Sequence, residues 1–368
     1  MSKTHILMVC ESYTGGVFSY VTQLCNDMCD EFEVYLAFSV NSKKKRRPQT
    51  PPNYRELLDS RVILYEIKDF GSAKSIFKTI KRLKEIEAEV KPDIIHLHSS
   101  IAGGIGRIAF NGKCSAVVYT PHGYSFILMG SGFKSRIMYL AEWILGKRNA
   151  ITLVCTPSEE RVAKTLTKRT ARIETGVNID DLEKVLNNVE PAKNERFTVY
   201  TLGRVCFQKQ PALFNHIAEL VQEANFIWVG SGELESELTA QNVRVTGWMS
   251  RNEALAIGKG ADAYVLCSLG EAVAMSLIEN MFMGKLCLVS NAMGNKDVIY
   301  DGDNGYICDK AEDYASHIRN AIGNFPTEIC EKAKQSVIGT YNTKNMKCKY
   351  SRFYNKVVEY RLSELWSL

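Results

Sequence analysis

Apolar positions along this chain fall into short, nearly continuous runs separated by stretches of helical spacing, and the alternation happens twice. The runs at 5–10 (HILMVC), 33–38 (EVYLAF), 61–67 (RVILYEI), 93–99 (DIIHLHS), 116–120 (AVVYT) and 151–156 (ITLVCT) have strand length. Continuous rather than alternating apolar character predicts strands buried on both faces. Between them, 17–28 and 73–90 repeat apolar residues at helical spacing, the second stopping before Pro92. The pattern pauses at Gly176-Val177-Asn178, where the polar stretch that follows reads as a linker. It restarts with runs at 197–203, 225–230, 242–247, 262–267 and 285–290. Strands alternating with helices predict parallel sheets. The expected organisation is therefore α/β, with one domain over 1–178 and a second over 179–349. A C-terminal helix at about 350–368 is expected to pack back on the first. Two domains suit a chain of 368 residues.

Composition narrows the setting. The eleven cysteines are scattered, form no C-x-x-C pair, and often lie inside apolar runs. That pattern reads as reduced, buried thiols and argues against a disulfide framework or a zinc site. The first apolar stretch is too short for a signal peptide, and no run of about 18 apolar residues predicts a membrane span. The expected location is cytoplasmic, with contact to the inner face of a membrane left open. Charge is uneven: residues 1–178 carry 26 Lys and Arg against 17 Asp and Glu, leaving 20 against 24 for the remainder. Within the basic half, Lys43, Lys44, Lys45, Arg46 and Arg47 stand in one loop with three prolines. This is either a solvated loop or a contact for an anionic membrane surface or a phosphate-bearing acceptor.

Candidate chemistry gathers just past the strands of the second half. Glu271 and Glu279 follow the run 262–267, eight residues apart, about two turns on a helix. A carboxylate at a loop–helix junction can accept sugar hydroxyls, and one deeper on the helix can accept both hydroxyls of a ribose. The plain alternative is a helix with solvated glutamates. Arg204 and Lys209 follow the run 197–203, on the side where open α/β sheets bind ligands. Two cations there can neutralise a diphosphate.

The order GR-x4-K, WVGSGE, VTGW and S-x-x-E-x7-E resembles the retaining glycosyltransferases of family 4, which have the GT-B fold. The fragment GNKDVIYDGDNGYIC resembles the stretch that follows the family's acidic motif. The resemblance spans essentially the whole chain and is most specific over 200–310. It implies two Rossmann-like parallel-sheet domains facing a central cleft. By the same resemblance, Glu279 holds the ribose and Glu271 contacts the transferred sugar. The amides of Val273, Ala274 and Met275 cradle the diphosphate, whose charge Arg204 and Lys209 balance. Gly247 and Trp248 lie against the base, and Gly230 with Ser231-Gly232-Glu233 lines the cleft wall.

In the first half, Gly15 and Gly16 resemble the family's paired glycines, opening a helix that suits an anion. They do not form G-x-G-x-x-G. His122 in YTPHGYSF resembles the family's histidine near the transferred sugar, with a turn-capping role as the alternative. His96 and His98 share one side of their strand; His98 reads as a cleft residue and His96 as packing. A metal reading needs a third ligand that the sequence does not supply. Where the family usually has glycines, this chain has Ala272 and Ala274, which restricts backbone approach to a diphosphate.

The resemblance implies a metal-independent hexosyltransferase with no cofactor, of bacterial polysaccharide or capsule type. Its expected partners are a nucleotide-sugar donor and a saccharide or lipid-diphosphate-linked acceptor, with no nucleic acid. UDP is favoured by the family's habits; GDP, ADP and dTDP stay open. The competing readings are a GT-B epimerase or phosphorylase, and a non-catalytic nucleotide-sugar-binding relative.

Overall fold

The computed structural model describes residues 3–11, 13–39, 50–70, 72–130 and 132–362. They form two compact units. The first gathers Met1–Phe126, Ser131–Glu174 and Lys344–Leu368; the second gathers Ile127–Gly130 and Thr175–Thr343.

The first unit's strands are β1 (His5–Cys10), β2 (Glu33–Phe38), β3 (Ile63–Glu66), β4 (Ile94–His98), β5 (Ala116–Thr120), β6 (Ile151–Val154) and β7 (Thr170–Arg172). They pair in parallel in the order β3-β2-β1-β4-β5-β6-β7. The second unit repeats the plan with β8 (Thr198–Leu202), β9 (Asn225–Val229), β10 (Val243–Val245), β11 (Ala263–Leu266), β12 (Leu286–Ser290) and β13 (Tyr306–Cys308). Their order is β10-β9-β8-β11-β12-β13, again parallel. Each sheet therefore has a switch point, between β1 and β4 and between β8 and β11. Ligands of such sheets bind beyond the carboxyl ends of those strands.

The continuous apolar runs explain the layering. Ile6, Leu7, Met8, Val9 and Cys10 of β1 are all fully buried, because helices cover both faces of the sheet. In the second unit two apolar clusters lie on the two sides of the sheet. One is built on Tyr200, Leu277, Ile278 and Met281, the other on Phe214, Phe226, Trp228 and Tyr314.

Two features depart from the sequence reading. The edge strands β7 and β13, of three residues each and only partly buried, are not among the runs read from the sequence. The stretch read as a linker instead holds the helix Ile179–Asn187. Asn178 caps it by accepting from the Asp181 amide at 3.1 Å, and Asp180 and Asp181 occupy its first turn. Acidic residues there suit the positive end of the helix dipole.

The long helix Thr343–Leu362 packs on the first unit. Tyr354 OH meets His96 Nδ1 at 2.6 Å, and the hydroxyls of Tyr350 and Tyr20 are hydrogen-bonded. Lys347 Nζ lies 2.6 Å from Asp30.

Candidate active site

In the second unit the loops after β8 and β11 are tied to each other at the switch point. Past β8 the chain turns through a short helix, Phe207–Lys209, into the helix Pro211–Leu220. Lys209 Nζ lies 2.7 Å from Glu271 Oε1, with both side chains about six-sevenths covered, at 15% and 14% exposure. On either side of this pair, Gln208 Nε2 donates to the Gly270 carbonyl at 2.8 Å and Gln210 Nε2 to the Cys267 carbonyl at 2.6 Å. The Leu269 amide returns a bond to the Gln208 carbonyl at 2.8 Å. A lysine ammonium has three donors, so a pair with one carboxylate leaves it able to bind an anion as well.

Glu271 precedes the helix Met275–Phe282, whose cap residue Ala274 makes no side-chain cap bond and whose first turn holds no acid. Early helical amides have no intrahelical acceptor and point outward. Glu279 lies on this helix, at the start of its second turn, while Glu271 stands in the loop before it rather than on the same helix. Its Oε1 is 3.3 Å from Arg251 Nη2, and Arg251 Nη1 is 2.9 Å from Asp181. Burial raises the Glu279 carboxyl above its ordinary range while Arg251 pulls it down. Arg251 stands at the start of the helix Arg251–Gly260, where Ser250 and Glu253 form a capping box.

Arg204 reaches Glu233 only loosely, at 3.9 Å. Gly203 and Gly230 lie against each other: a Cβ on Gly230, at φ 136°, would sit 2.1 Å from the Gly203 carbonyl oxygen. Glycine is therefore required where this wall passes the end of β8. Gly247 pairs with Gly230 in an isolated bridge, and Trp248 next to it is half exposed.

The first unit presents a different chemistry. Gly15, at φ 56°, and Gly16 open the helix Gly15–Met28 and are exposed. Glycine adopts the left-handed backbone of Gly15 most readily. Glu11, just past β1, accepts from the Ser99 hydroxyl, and Ser99 caps the helix Ser100–Ala109.

His96 is fully buried and doubly engaged, by Tyr354 and by Thr120 Oγ1 at 2.8 Å. Its role is packing. His98 Nδ1 lies 3.1 Å from His122 Nε2, while its own Nε2 is buried with no hydrogen-bond partner. Burial pushes all three imidazoles down, His122 to about 4. They are neutral at physiological pH.

His122 has φ 54° and Tyr20 against it edge-on at 4.7 Å. Glu159 secures the turn: its fully buried carboxylate accepts from the Gly123 amide at 3.0 Å and the Cys155 amide at 2.9 Å. Sequence reasoning did not find Glu159, Gln208, Gln210, Arg251 or Asp181. Each is recognisable only through a partner that the fold brings near.

Lys43, Lys44, Lys45, Arg46 and Arg47 lie outside the described residues. No group of His, Cys, Asp and Glu among the described residues is arranged to hold a metal ion. No helix among them is long and apolar enough to cross a membrane.

Comparison with known proteins adds to this geometry. Residues 14–181 match the family described as Glycosyltransferase Family 4, and residues 196–324 match Glycosyl transferases group 1. The chain is 30% identical over 270 residues to the UDP-Gal:alpha-D-GlcNAc-diphosphoundecaprenol alpha-1,3-galactosyltransferase of Escherichia coli, covering 66% of this chain and 67% of that one. It is 26% identical over 259 residues to an uncharacterized protein in the cps region of Klebsiella pneumoniae, covering 65% and 71%. Among solved structures, a sucrose-phosphate synthase from Thermosynechococcus elongatus superposes with TM-score 0.76 at 16% identity, over 96% of this chain and 99% of that one. Anabaena HepE in complex with UDP and glucose superposes with TM-score 0.72 at 14% identity, over 96% and 100%. These similarities establish the GT-B architecture.

Proposed function

Because this chain belongs to the family 4 glycosyltransferases, we propose that it is a retaining, metal-independent hexosyltransferase using a UDP-sugar. Its acceptor on this reading is a lipid-diphosphate-linked saccharide, and its product serves cell-surface polysaccharide synthesis. The observation that carries the reading is the Lys209–Glu271 pair bridging the two loops at the second sheet's switch point. A cation and a carboxylate in one contact, beside outward helical amides, match a ligand that joins a diphosphate to a sugar. The UDP in the HepE complex and the UDP-Gal donor and diphosphoundecaprenol acceptor in the E. coli relative's name support the choice of nucleotide and acceptor.

In this account the bond between the anomeric carbon and the diphosphate oxygen breaks as the acceptor oxygen bonds to the same carbon from the same face. The acceptor proton passes to the departing diphosphate. Lys209, Arg204 and the amides of Val273, Ala274 and Met275 stabilise the charge that develops there. Glu271 holds a hydroxyl of the transferred sugar, Glu279 takes the ribose hydroxyls, and Gly247 and Trp248 meet the base. Gly15 and Gly16 approach a phosphate, and neutral His122 hydrogen-bonds a sugar hydroxyl, with His98 behind it. Catalysis is then positioning and electrostatics, with no protein nucleophile. The enzyme works at the inner face of the membrane, where its acceptor resides.

The test is transfer from UDP-galactose and other UDP-hexoses to a diphosphate-lipid-linked N-acetylglucosamine, with EDTA present and the product anomer read by NMR. An α-linked product formed in EDTA is expected. A β-linked product, or a strict need for a divalent ion, contradicts the reading. Release of an epimerised nucleotide sugar without acceptor would favour the epimerase alternative.

A further inference from the structure

The helix Phe133–Leu145 wears apolar side chains on the side that faces solvent. Phe133 is 78% exposed, Ile137 50%, Leu140 54% and Ile144 54%. Spacings of four, three and four residues align them in one stripe. The opposite side is already engaged with the first unit. There the Glu142 carboxylate lies 2.8 Å from buried Arg107 and accepts from Tyr119 OH at 2.9 Å. The outward stripe is therefore left uncovered by the described residues. Scattered exposed apolar residues need no explanation, but four aligned on one helix do.

Charge around the stripe points to its occupant. Lys134, Arg136, Lys147 and Arg148 are all exposed and have no ion-pair partner among the described residues. Lys147 Nζ rests 3.4 Å over the ring of Trp143, which is itself 40% exposed. Between Asp93 and Glu159 the chain carries a single acidic residue, Glu142, and that one is buried and paired. A helix with no exposed carboxylate of its own, an apolar stripe, an interfacial tryptophan and cations beside it complements an anionic lipid surface. At 13 residues the helix is too short to span a bilayer, so it would lie in the plane of the interface.

We propose that the outward face of the helix Phe133–Leu145 docks on an anionic lipid bilayer. Phe133, Ile137, Leu140 and Ile144 enter the headgroup–acyl boundary, and Lys134, Arg136, Lys147 and Arg148 meet lipid phosphates. The proposal deepens the lipid-linked-acceptor reading and rests on it for its purpose, but its argument uses none of the residues assigned to donor chemistry.

The experiment is flotation of the full chain with phosphatidylcholine vesicles, with and without phosphatidylglycerol. Two variants are compared with wild type: I137S/L140S/I144S, and K134Q/R136Q/K147Q/R148Q. Wild type floats with the anionic vesicles, and added salt weakens it. Each cation removed lowers partitioning by up to about fivefold, and the apolar variant lowers it by more than about tenfold. UDP binding and turnover of a water-soluble, short-chain acceptor stay at wild-type level, which shows that both variants fold. Failure of wild type to float, or equal flotation of all three proteins, overturns the proposal. So does a wild-type dimer that the apolar variant converts to monomer without any vesicle binding, since the stripe then joins two copies of this chain. If vesicle binding holds but no diphosphate-lipid acceptor is used, the acceptor reading fails and the surface stands.

Discussion

The two units share one sheet plan and differ in how they equip its switch point. The second unit uses charge: Lys209 against Glu271, and Asp181 and Glu279 about Arg251. The first unit uses neutral rings, buried His98 against half-buried His122, and a turn held by a carboxylate that accepts from two backbone amides. The same topology can therefore carry a site for a polyanion or a site for uncharged hydroxyls. The side chains placed past β8 and β11, or past β4 and β5, decide which.

The largest expected effect lies on the charged side. Lys209→Ala removes the cation from the leaving diphosphate and should lower kcat by about 10²–10³-fold, read in a coupled UDP-release assay. A KM change with kcat intact would move Lys209 from transition-state stabilisation to binding alone.

Next comes Glu279→Ala, which should weaken donor binding by about 10–100-fold through the loss of charged hydrogen bonds to the ribose. Arg251→Ala should do less at neutral pH but shift the acid limb of donor binding upward. Burial already raises the Glu279 carboxyl, and removing Arg251 takes away what pulls it down. An acid limb that stays in place would show that Arg251 does not govern Glu279.

On the neutral side, Glu159→Ala leaves the Gly123 and Cys155 amides buried without an acceptor. The expected loss is about 2–4 kcal/mol of stability, measured by urea unfolding. Turnover should also fall beyond the loss of folded protein, since the turn holding His122 relaxes. Unchanged stability would contradict the clamp.

The smallest effect is a pH dependence. His122 binds its proton only near pH 4 when folded, against about 6.5 when unfolded. The unfolded state therefore takes up the proton first as pH falls. This contribution to stability is complete above about pH 6.5 and is lost progressively between there and pH 4. His122→Asn should flatten that part of the melting-temperature profile and leave the profile above pH 7 parallel to wild type. An equally steep acid limb in the variant would place the dependence elsewhere.

The same contrast explains what the sequence made legible. Doubly covered sheets need continuous apolar runs, so most strands could be read directly. Diphosphate and sugar recognition needs charge just past strand ends, so Arg204, Lys209, Glu271 and Glu279 stood out as candidates. Gln208 and Gln210 did not, because a glutamine in a loop signals nothing until the 267–271 loop, about sixty residues on, presents its carbonyls. Arg251 and Asp181 meet only through a separation of 70 residues. The helix Phe133–Leu145 was not predicted because its apolar residues lie on both faces, so no amphipathic period marks it. That blurring is itself the trace of the outward stripe.

The most direct test of the central claim is calorimetric titration of UDP, GDP, ADP and dTDP into wild type and Glu279→Ala. The account predicts that UDP binds wild type best and that the variant loses most of that affinity while keeping its melting temperature. Equal binding of UDP to both proteins, or no binding of any nucleotide to wild type, would contradict it.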